Sequence, residues 1–391
     1  MKLMHLADLH LGKALFNIPQ LPDQRFVLEQ LLDRAVSEQV DAIVLAGDIF
    51  DKASPSAEAV ELLDWLLTAI EQRGLACIGV PGNHDSAERI GYASSLLARH
   101  RIHLAGPYRG KVECVRLKDG WGTVAFWLFP FMRPAQVKPY FPDESIKGDY
   151  TAALAAVVET CAIDPAERNV AVAHQFVASG SADPERSDSE LAIGGVDRVA
   201  SSVFDPFDYV ALGHLHHPQQ VGRDTMRYAG SPLMYSLSEL AHPKTTPIVT
   251  LKEKGSVSIE LVPIEPLRPL RRIRGPLDRL VSPEIVAEGD PNDYLHVVLT
   301  DEVPAIDALA RVRSAYPYTL LVEYDNVAVR ARRQRTLGTV ERDLDPVELF
   351  ERFFEQELDR PLDDDQRSCA QAALERAFSS RSKGESEGDR Q

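Results

Sequence analysis

The chain has 391 residues, 44% of them hydrophobic, and a formal net charge of −16; this predicts two or three domains with sizeable cores and weighs against a surface built to coat nucleic acid. Its four scattered cysteines (Cys77, Cys114, Cys161 and Cys369) have no C-x-x-C spacing, which argues against a thiolate zinc site or a disulfide framework. No apolar run is long enough to span a bilayer, and no charged and apolar leader precedes the first strand-like run, so a cytoplasmic protein is expected.

The first two-thirds of the chain alternate strand and helix signals. Residues 3–7 form an apolar run that ends at Asp8. Residues 25–38 read as a helix carrying Phe26, Leu28, Leu31 and Leu32. Residues 42–46, Ala-Ile-Val-Leu-Ala, read as a strand that ends at Gly47-Asp48. Residues 56–73 form a strong helix, stopped by Gly74, with two apolar stripes. One stripe is Val60, Leu63, Leu67 and Ile70; the other is Leu62, Trp65, Leu66 and Ala69. One suffices for a core, and the second is either more core or a subunit contact. Residues 76–80 read as a buried strand ending at a Pro-Gly turn. Further strands are expected at residues 124–129, 170–173, 209–212, 248–251 and 257–261. Together these predict an α/β fold with layers around a largely buried sheet system.

Near residue 263 the texture changes. The stretch VPIEPLRPLRRIRGP is rich in Pro and Arg, as a domain boundary would be. A smaller α/β segment follows, with strands at 295–299 and 319–324 around a helix at 306–314. It closes on the basic run VRARRQR. Two amphipathic helices are expected at 346–358 and 363–378, with Asp363, Asp364 and Asp365 at the second N-terminus, where carboxylates suit the helix dipole. The tail from Ser379 is poor in apolar residues and is expected to be disordered. The expected division is 1–264, 265–341, 342–379 and a tail at 380–391.

The buried strands share a habit: each ends in Asp, His or Asn. The first gives Asp8 and His10; the second gives Asp48; the third gives Asn83, His84 and Asp85. Later strands give His174, then His214 and His216. Strand ends on one rim of a sheet lie close in space, so these groups can converge. A cluster of imidazoles and carboxylates without thiolates suits Mn²⁺, Fe²⁺ or Zn²⁺. There are too many ligands for one ion, and a pair of dications is the usual device for cleaving phosphate esters. A lone Asp-x-His or Gly-Asp is weak, and a single strand-end histidine is usually a partly buried, hydrogen-bonded side chain. Asn-His-Asp after an apolar strand has no packing rationale. His100, His103, His217, His242 and His296 lack that context and read as structural or surface residues.

The order D-x-H, G-D, G-N-H-D, H, G-H-x-H resembles the calcineurin-like metallophosphoesterases. The flanks HLADLHLGK, GDIFDKASPS, GNHDSAERI, GHLHHPQ and YAGSPL resemble, within them, the SbcD nuclease subunits of SbcC–SbcD break-repair complexes. The resemblance runs to about Phe378. It implies a two-sheet β-sandwich flanked by helices, with a small α/β capping domain and a C-terminal helix pair. It implies one metal held by Asp8, His10, Asp48 and His216, and another held by Asp48, Asn83, His174 and His214, with Mn²⁺ preferred. His84 would act on the phosphate and the leaving oxygen, and Asp85 would orient it. Some relatives carry His where Asp51 stands here. The implied activity is DNA exonuclease and endonuclease cleavage at duplex ends, hairpins and single strands. The implied partners are an SbcC-type coiled-coil ATPase, gripped by the C-terminal helices, and a second copy of the chain. Arg268, Arg271, Arg272 and Arg274, with Arg330, Arg332, Arg333 and Arg335, either track DNA or pair with acidic neighbours. Two other readings stay open: a small-molecule or nucleotide phosphodiesterase, and a scaffold with a degenerate site, although no ligand is missing. The loop at 178–190 is either a lid or a surface excursion.

Overall fold

The apolar runs become strands of two six-stranded sheets. In the first, β1 (Lys2–Leu6), β2 (Ala42–Ala46), β3 (Ala76–Val80) and β4 (Ile102–Leu104) run parallel. The second contains β5 (Glu113–Asp119), β6 (Gly122–Phe129), β7 (Arg168–His174), β8 (Tyr209–Gly213), β9 (Gln219–Val221) and β10 (Arg223–Tyr228), in the spatial order β9-β10-β8-β7-β6-β5. Two antiparallel strands, β11 (Thr245–Leu251) and β12 (Val257–Pro263), return to complete the first sheet beside β1. The computed structural model describes residues 1–141, 146, 148–180, 183–190, 197–327, 350–351, 354–355, 360–363 and 366–371.

Four layers follow from the two-residue period of the strands. Leu3, Val44 and Ile78 point inward and meet Phe126, Val170, Val172 and Tyr209 of the second sheet. Their alternates, Met4, Leu6, Ile43, Leu45 and Cys77, pack outward on helices α1 (Leu21–Ser37) and α2 (Ala57–Gln72). On the far side, Trp127, Phe129, Ala171 and Val210 meet Leu154 and Val157 of α3 (Tyr150–Glu159). Burial on both faces is why β2, β3, β7 and β8 read as continuous apolar runs.

In α2 the stripe of uncertain purpose is core: Leu62, Leu66 and Ala69 are buried, while Val60 of the other stripe is exposed. Trp65 is half-buried and lies under the Arg25 guanidinium, 3.4 Å from its ring centre. Helix α1 begins four residues earlier than its apolar pattern suggested, with Pro22 in its first turn.

The Pro/Arg-rich stretch is not a plain linker. Leu270–Gly275 is a strand, β13, paired in parallel with β14 (Tyr294–Leu299), which pairs with β15 (Thr319–Tyr324). Leu295, Val297 and Leu299 pack with Val312 and Tyr316 at the helix α4 (Ala308–Ala315). Arg268 donates to the buried Asp23 at 2.7 Å, and the Tyr294 hydroxyl donates to the same carboxylate at 2.9 Å. Arg271 donates to Asp293 at 2.6 Å. The neighbour-pairing alternative therefore holds for these two arginines; Arg272 and Arg274 are exposed residues of β13.

By compactness the chain divides into Met1–Tyr324 and Asp325–Gln391. In the second unit, residues 350–351, 354–355 and 366–371 are helical, Phe350 and Phe354 stack with ring centres 6.4 Å apart, and Arg367 pairs with Glu351 at 2.8 Å. The basic run with Arg330, Arg332, Arg333 and Arg335, Phe353 and Leu358 of the first expected helix, and the tail lie outside the described residues. Among those described, no helix is long and apolar enough to cross a membrane.

Candidate metal centre

The ends of β1, β2 and β3 and the ends of β7 and β8 meet at one rim of the sandwich. The rim is held by tight turns. Asp8 N–H donates to Gly47 O at 3.0 Å, and His10 N–H donates to Asp48 O at 2.9 Å. Asp8, His10, Asp48 and His214 all take left-handed backbone angles, with φ of 53°, 44°, 49° and 112°. Such angles are costly for residues with a Cβ, and they cluster where function demands a fixed direction. Two glycines of the motifs have a steric cause. A Cβ on Gly47 would stand 2.2 Å from His174 Nδ1, and one on Gly213 would stand 1.9 Å from Ala46 O. Only glycine lets the two sheets close this far.

The side chains fall into two contiguous sets. His10 Nε2 lies 3.1 Å from His216 Nε2 and 3.7 Å from Asp48 Oδ2. On the other side, His174 Nε2 is 3.4 Å from Asp48 Oδ2 and 2.9 Å from Asn83 Oδ1, and His214 Nδ1 is 3.0 Å from the same amide oxygen. Asp48 touches both sets. Asp8 accepts from His214 N–H at 3.0 Å and belongs to two of the clusters capable of holding a cation: Asp8, His10 and His216, and Asp8, Asp48 and His174. The third cluster is His10, Asp48 and His84.

Burial moves most of the titratable groups here away from their ordinary values. Burial pushes the Asp8 carboxyl up to about 7. Burial drives His10 well down and His214 down to about 3. Burial would also lower His174, but the Asp48 charge outweighs it and holds this imidazole up, at about 9. Asp48 is correspondingly held below the carboxylate range, since His174 overcomes the burial penalty. His10 Nδ1 and His214 Nε2 are buried without a hydrogen-bond partner. Nitrogen lone pairs and carboxylates facing one another, with no thiolate, are the donor set of divalent first-row ions, and the residues fit such ions.

His84 and Asp85 divide differently from expectation. The Asp85 carboxylate accepts from the backbone N–H groups of Ile49 (3.0 Å), Phe50 (2.8 Å) and Gly82 (2.8 Å). It pins the turn after Asp48 and does not reach the His84 ring. His84 Nδ1 instead lies 2.9 Å from the Asp51 carbonyl oxygen, and the Asp51 carboxylate accepts from Lys13 Nζ at 2.8 Å. His84 N–H donates to Asp48 Oδ1 at 2.9 Å, so the backbone of Asn83-His84 is fixed on the shared carboxylate.

Sequence reasoning missed the shell behind these groups. Glu239 Oε1 lies 3.3 Å from His216 Nδ1, and the buried Lys244 donates to Glu239 Oε2 (2.6 Å), His216 O (2.9 Å) and Ser231 Oγ (2.8 Å). Glu190 Oε1 accepts from His216 N–H at 2.5 Å. Gln24 donates to His10 O at 2.8 Å and to the Tyr235 hydroxyl at 3.0 Å. The sequence signal was faint: Glu239 and Lys244 follow YAGSPL in a stretch that mixes apolar residues with Ser236, Ser238 and His242.

Comparison with known proteins gives the class. Residues 266–357 match the SbcD_C model, described as the type 5 capsule protein repressor C-terminal domain. A dimetal phosphatase from Danio rerio superposes with a TM-score of 0.41 at 12% identity, over 68% of this chain and 99% of that one. A psychrophilic beta-glucosidase from Micrococcus antarcticus does so with a TM-score of 0.21 at 11% identity, over 83% of each chain. Both overlays are too loose to argue from. Residues 1–218, more than half of the chain and every strand end that converges on the rim, match the calcineurin-like phosphoesterase model, and the chain belongs to that family.

Proposed function

We propose that the chain is a two-metal DNA phosphodiesterase, an exonuclease and endonuclease that works as the nuclease subunit of an ATP-driven break-repair complex. The convergence of Asp8, His10, Asp48, Asn83, His174, His214 and His216 around one shared carboxylate carries the phosphodiesterase part. The DNA part is supported by the motif flanks that resemble SbcD nucleases and by the second matched region at 266–357.

In this reading Asp8, His10, Asp48 and His216 hold one ion, and Asp48, Asn83, His174 and His214 hold the other. Mn²⁺ is the ion of choice, and the pair supplies positive charge to the phosphate and acidifies water. The chain's own groups do the rest. His84 is the exposed imidazole of the site, with 40% of its side chain open to solvent. Its Nδ1 proton is committed to the Asp51 carbonyl, so Nε2, 4.0 Å from Asp48 Oδ2, faces an incoming phosphate. From there a protonated imidazole donates to a phosphate oxygen or to the leaving oxygen. Asp85 contributes by holding the turn that carries Asp48. Exposed Arg272 and Arg274 of β13 contact DNA phosphates. The helical segments beyond residue 349 dock on a coiled-coil ATPase, and a second copy of the chain completes the assembly.

The deciding experiment supplies the full chain with Mn²⁺ and end-labelled linear duplex, beside a small phosphodiester dye and a His84→Ala control. Degradation of duplex, lost in the control, supports the reading. Hydrolysis of the dye alone, with duplex intact even after addition of the ATPase and ATP, replaces it with a small-molecule phosphodiesterase. A chain lacking 343–391 is expected to keep Mn²⁺-dependent cleavage and lose co-purification with the ATPase; retained co-purification would place the docking site elsewhere.

A further inference from the structure

A second group of ligating side chains lies outside the candidate centre. Glu185 lies in residues 183–190, after the short strand Phe176–Ala178, His217 follows the last strand-end motif, and His242 follows a short 3-10 turn at Leu237–Ala241. One donor atom from each lies within 4.8 Å of the others. His217 Nδ1 is 3.1 Å from Glu185 Oε2, and His242 Nε2 is 3.3 Å from Glu185 Oε1. Donors bound at about 2.0–2.2 Å around one tetrahedral ion are themselves roughly 3.3–3.5 Å apart. These separations are close to that.

Three further features favour an ion over a plain ion-paired histidine couple. The two imidazoles lie side by side, with centroids 3.8 Å apart and planes 40° apart, so both present ring nitrogens to the same carboxylate. His217 Nδ1 is buried and faces the Glu185 carboxylate away from good hydrogen-bond alignment. Glu185 is also held in place: its N–H donates to Gln219 Oε1 at 2.9 Å, and Gln219 Nε2 donates to Glu185 O at 2.8 Å. The nearby Lys244 is neutralised by Glu239. The side chains are 56%, 24% and 22% exposed, so an ion can enter from solvent and keep a water in the open position.

We propose that Glu185, His217 and His242 form a separate divalent-cation site, taking Zn²⁺ or a similar imidazole-preferring ion, which pins the 183–190 loop to the rim. The same loop carries Glu190, which accepts from His216 N–H, so an ion here fixes one wall of the candidate centre without entering it. Two imidazoles and one carboxylate favour Zn²⁺ over Mg²⁺ or Ca²⁺, which prefer all-oxygen ligands.

The test strips the full chain with chelator and adds zinc chloride alone, counting bound Zn²⁺ by equilibrium dialysis. Native protein is expected to bind one equivalent per chain more than Glu185→Gln or His242→Gln. Amides of 183–190 should gain hydrogen-exchange protection on Zn²⁺ addition in native protein only. Glu185 is exposed and His242 half-buried, and unchanged circular dichroism of either variant certifies its fold. Equal zinc counts and equal protection in native and both variants would overturn the site. Loss of the equivalent without any change in loop protection would also overturn the pinning.

Discussion

The buried imidazole His174 carries the positive charge that a cation would otherwise bring. Its proton is held by Asp48, 3.4 Å away. A divalent ion on Asp48 and His174 must displace that proton, since only neutral imidazole ligates. Mn²⁺ binding to chelated protein at pH 7.5 is therefore expected to release about one proton, read by calorimetry in buffers of different ionisation enthalpy. Binding without proton release would remove His174 from the metal centre. Behind His216, the Lys244–Glu239 pair is buried and each of its polar groups is engaged. Lys244→Met leaves the buried Glu239 carboxylate without its cation, which costs about 3–5 kcal/mol. It also removes the donor to His216 O and loosens the Glu239 carboxylate that meets the His216 ring, and weakening of such an outer partner typically lowers metal affinity about 10–100-fold. A Mn²⁺ titration of folded Lys244→Met giving the native affinity would show that the pair serves the fold alone.

Helix α2 decides which surface can serve a second copy of the chain. Its Ser56 side chain caps the first turn by accepting from Ala59 N–H at 3.3 Å, and Leu62, Leu63, Leu66 and Ile70 face β1, β2 and β3. Leu62 is only 6% exposed, so Leu62→Glu buries a charge in the core. It is expected to unfold the protein rather than to split a dimer. Tyr92 and Leu96, just after the third motif, are 79% and 61% exposed. Leu96→Glu is expected to leave the thermal midpoint within a few degrees of native, and sedimentation of that variant then tests the dimer. A large fall in the midpoint of Leu96→Glu, or none in that of Leu62→Glu, would contradict these burial assignments.

Across the whole molecule, Arg168 closes the end of the sandwich opposite the metal centre. It starts β7, is buried, and donates to Asp119 at the end of β5 at 2.5 and 3.1 Å. It also donates to Leu251 O at 3.1 Å and Lys252 O at 2.9 Å, at the end of β11 in the other sheet. One guanidinium thus stitches both sheets. Burial would raise the Asp119 carboxyl, but Arg168, the Met1 amino group and Trp121 N–H outweigh it and hold it below the ordinary range. A carboxyl depressed in the folded state contributes stability above its unfolded value, about pH 4, and loses that contribution as pH falls further. Arg168→Leu should therefore cost several kcal/mol at pH 7, by the logic of a broken buried pair (about 3–5). The gap to native should narrow below about pH 4, where Asp119 of the unfolded chain takes up a proton that the folded carboxylate still resists. A gap that stays constant down to pH 3 would show that packing, not charge, is what Arg168 provides.

Much of the architecture was already legible along the chain, because strands buried on both faces must be apolar throughout. Residues 42–46, 76–80 and 319–324 fall within a residue of the strands found. Strands β5 and β10 escaped because they lie near sheet edges, mix charge with apolar residues and are half-exposed. Strand β13 escaped because Arg271, Arg272 and Arg274 break any apolar run along it, and its pairing partner lies some twenty residues on. The polar residues at the strand ends were visible in sequence because nothing in packing calls for Asn-His-Asp after Val80. Which group orients which was not visible. Hydrogen-bond direction depends on turns whose left-handed angles only the closed sandwich imposes, and so Asp85 went to the backbone of Ile49 and Phe50 while Asp51 took His84. Residue order alone determined the chemistry available at the rim. Tertiary structure decided its partners, since Glu190, Glu239, Lys244 and Gln24 reach the site from distant segments that meet only when two sheets pack at the distance Gly47 and Gly213 allow.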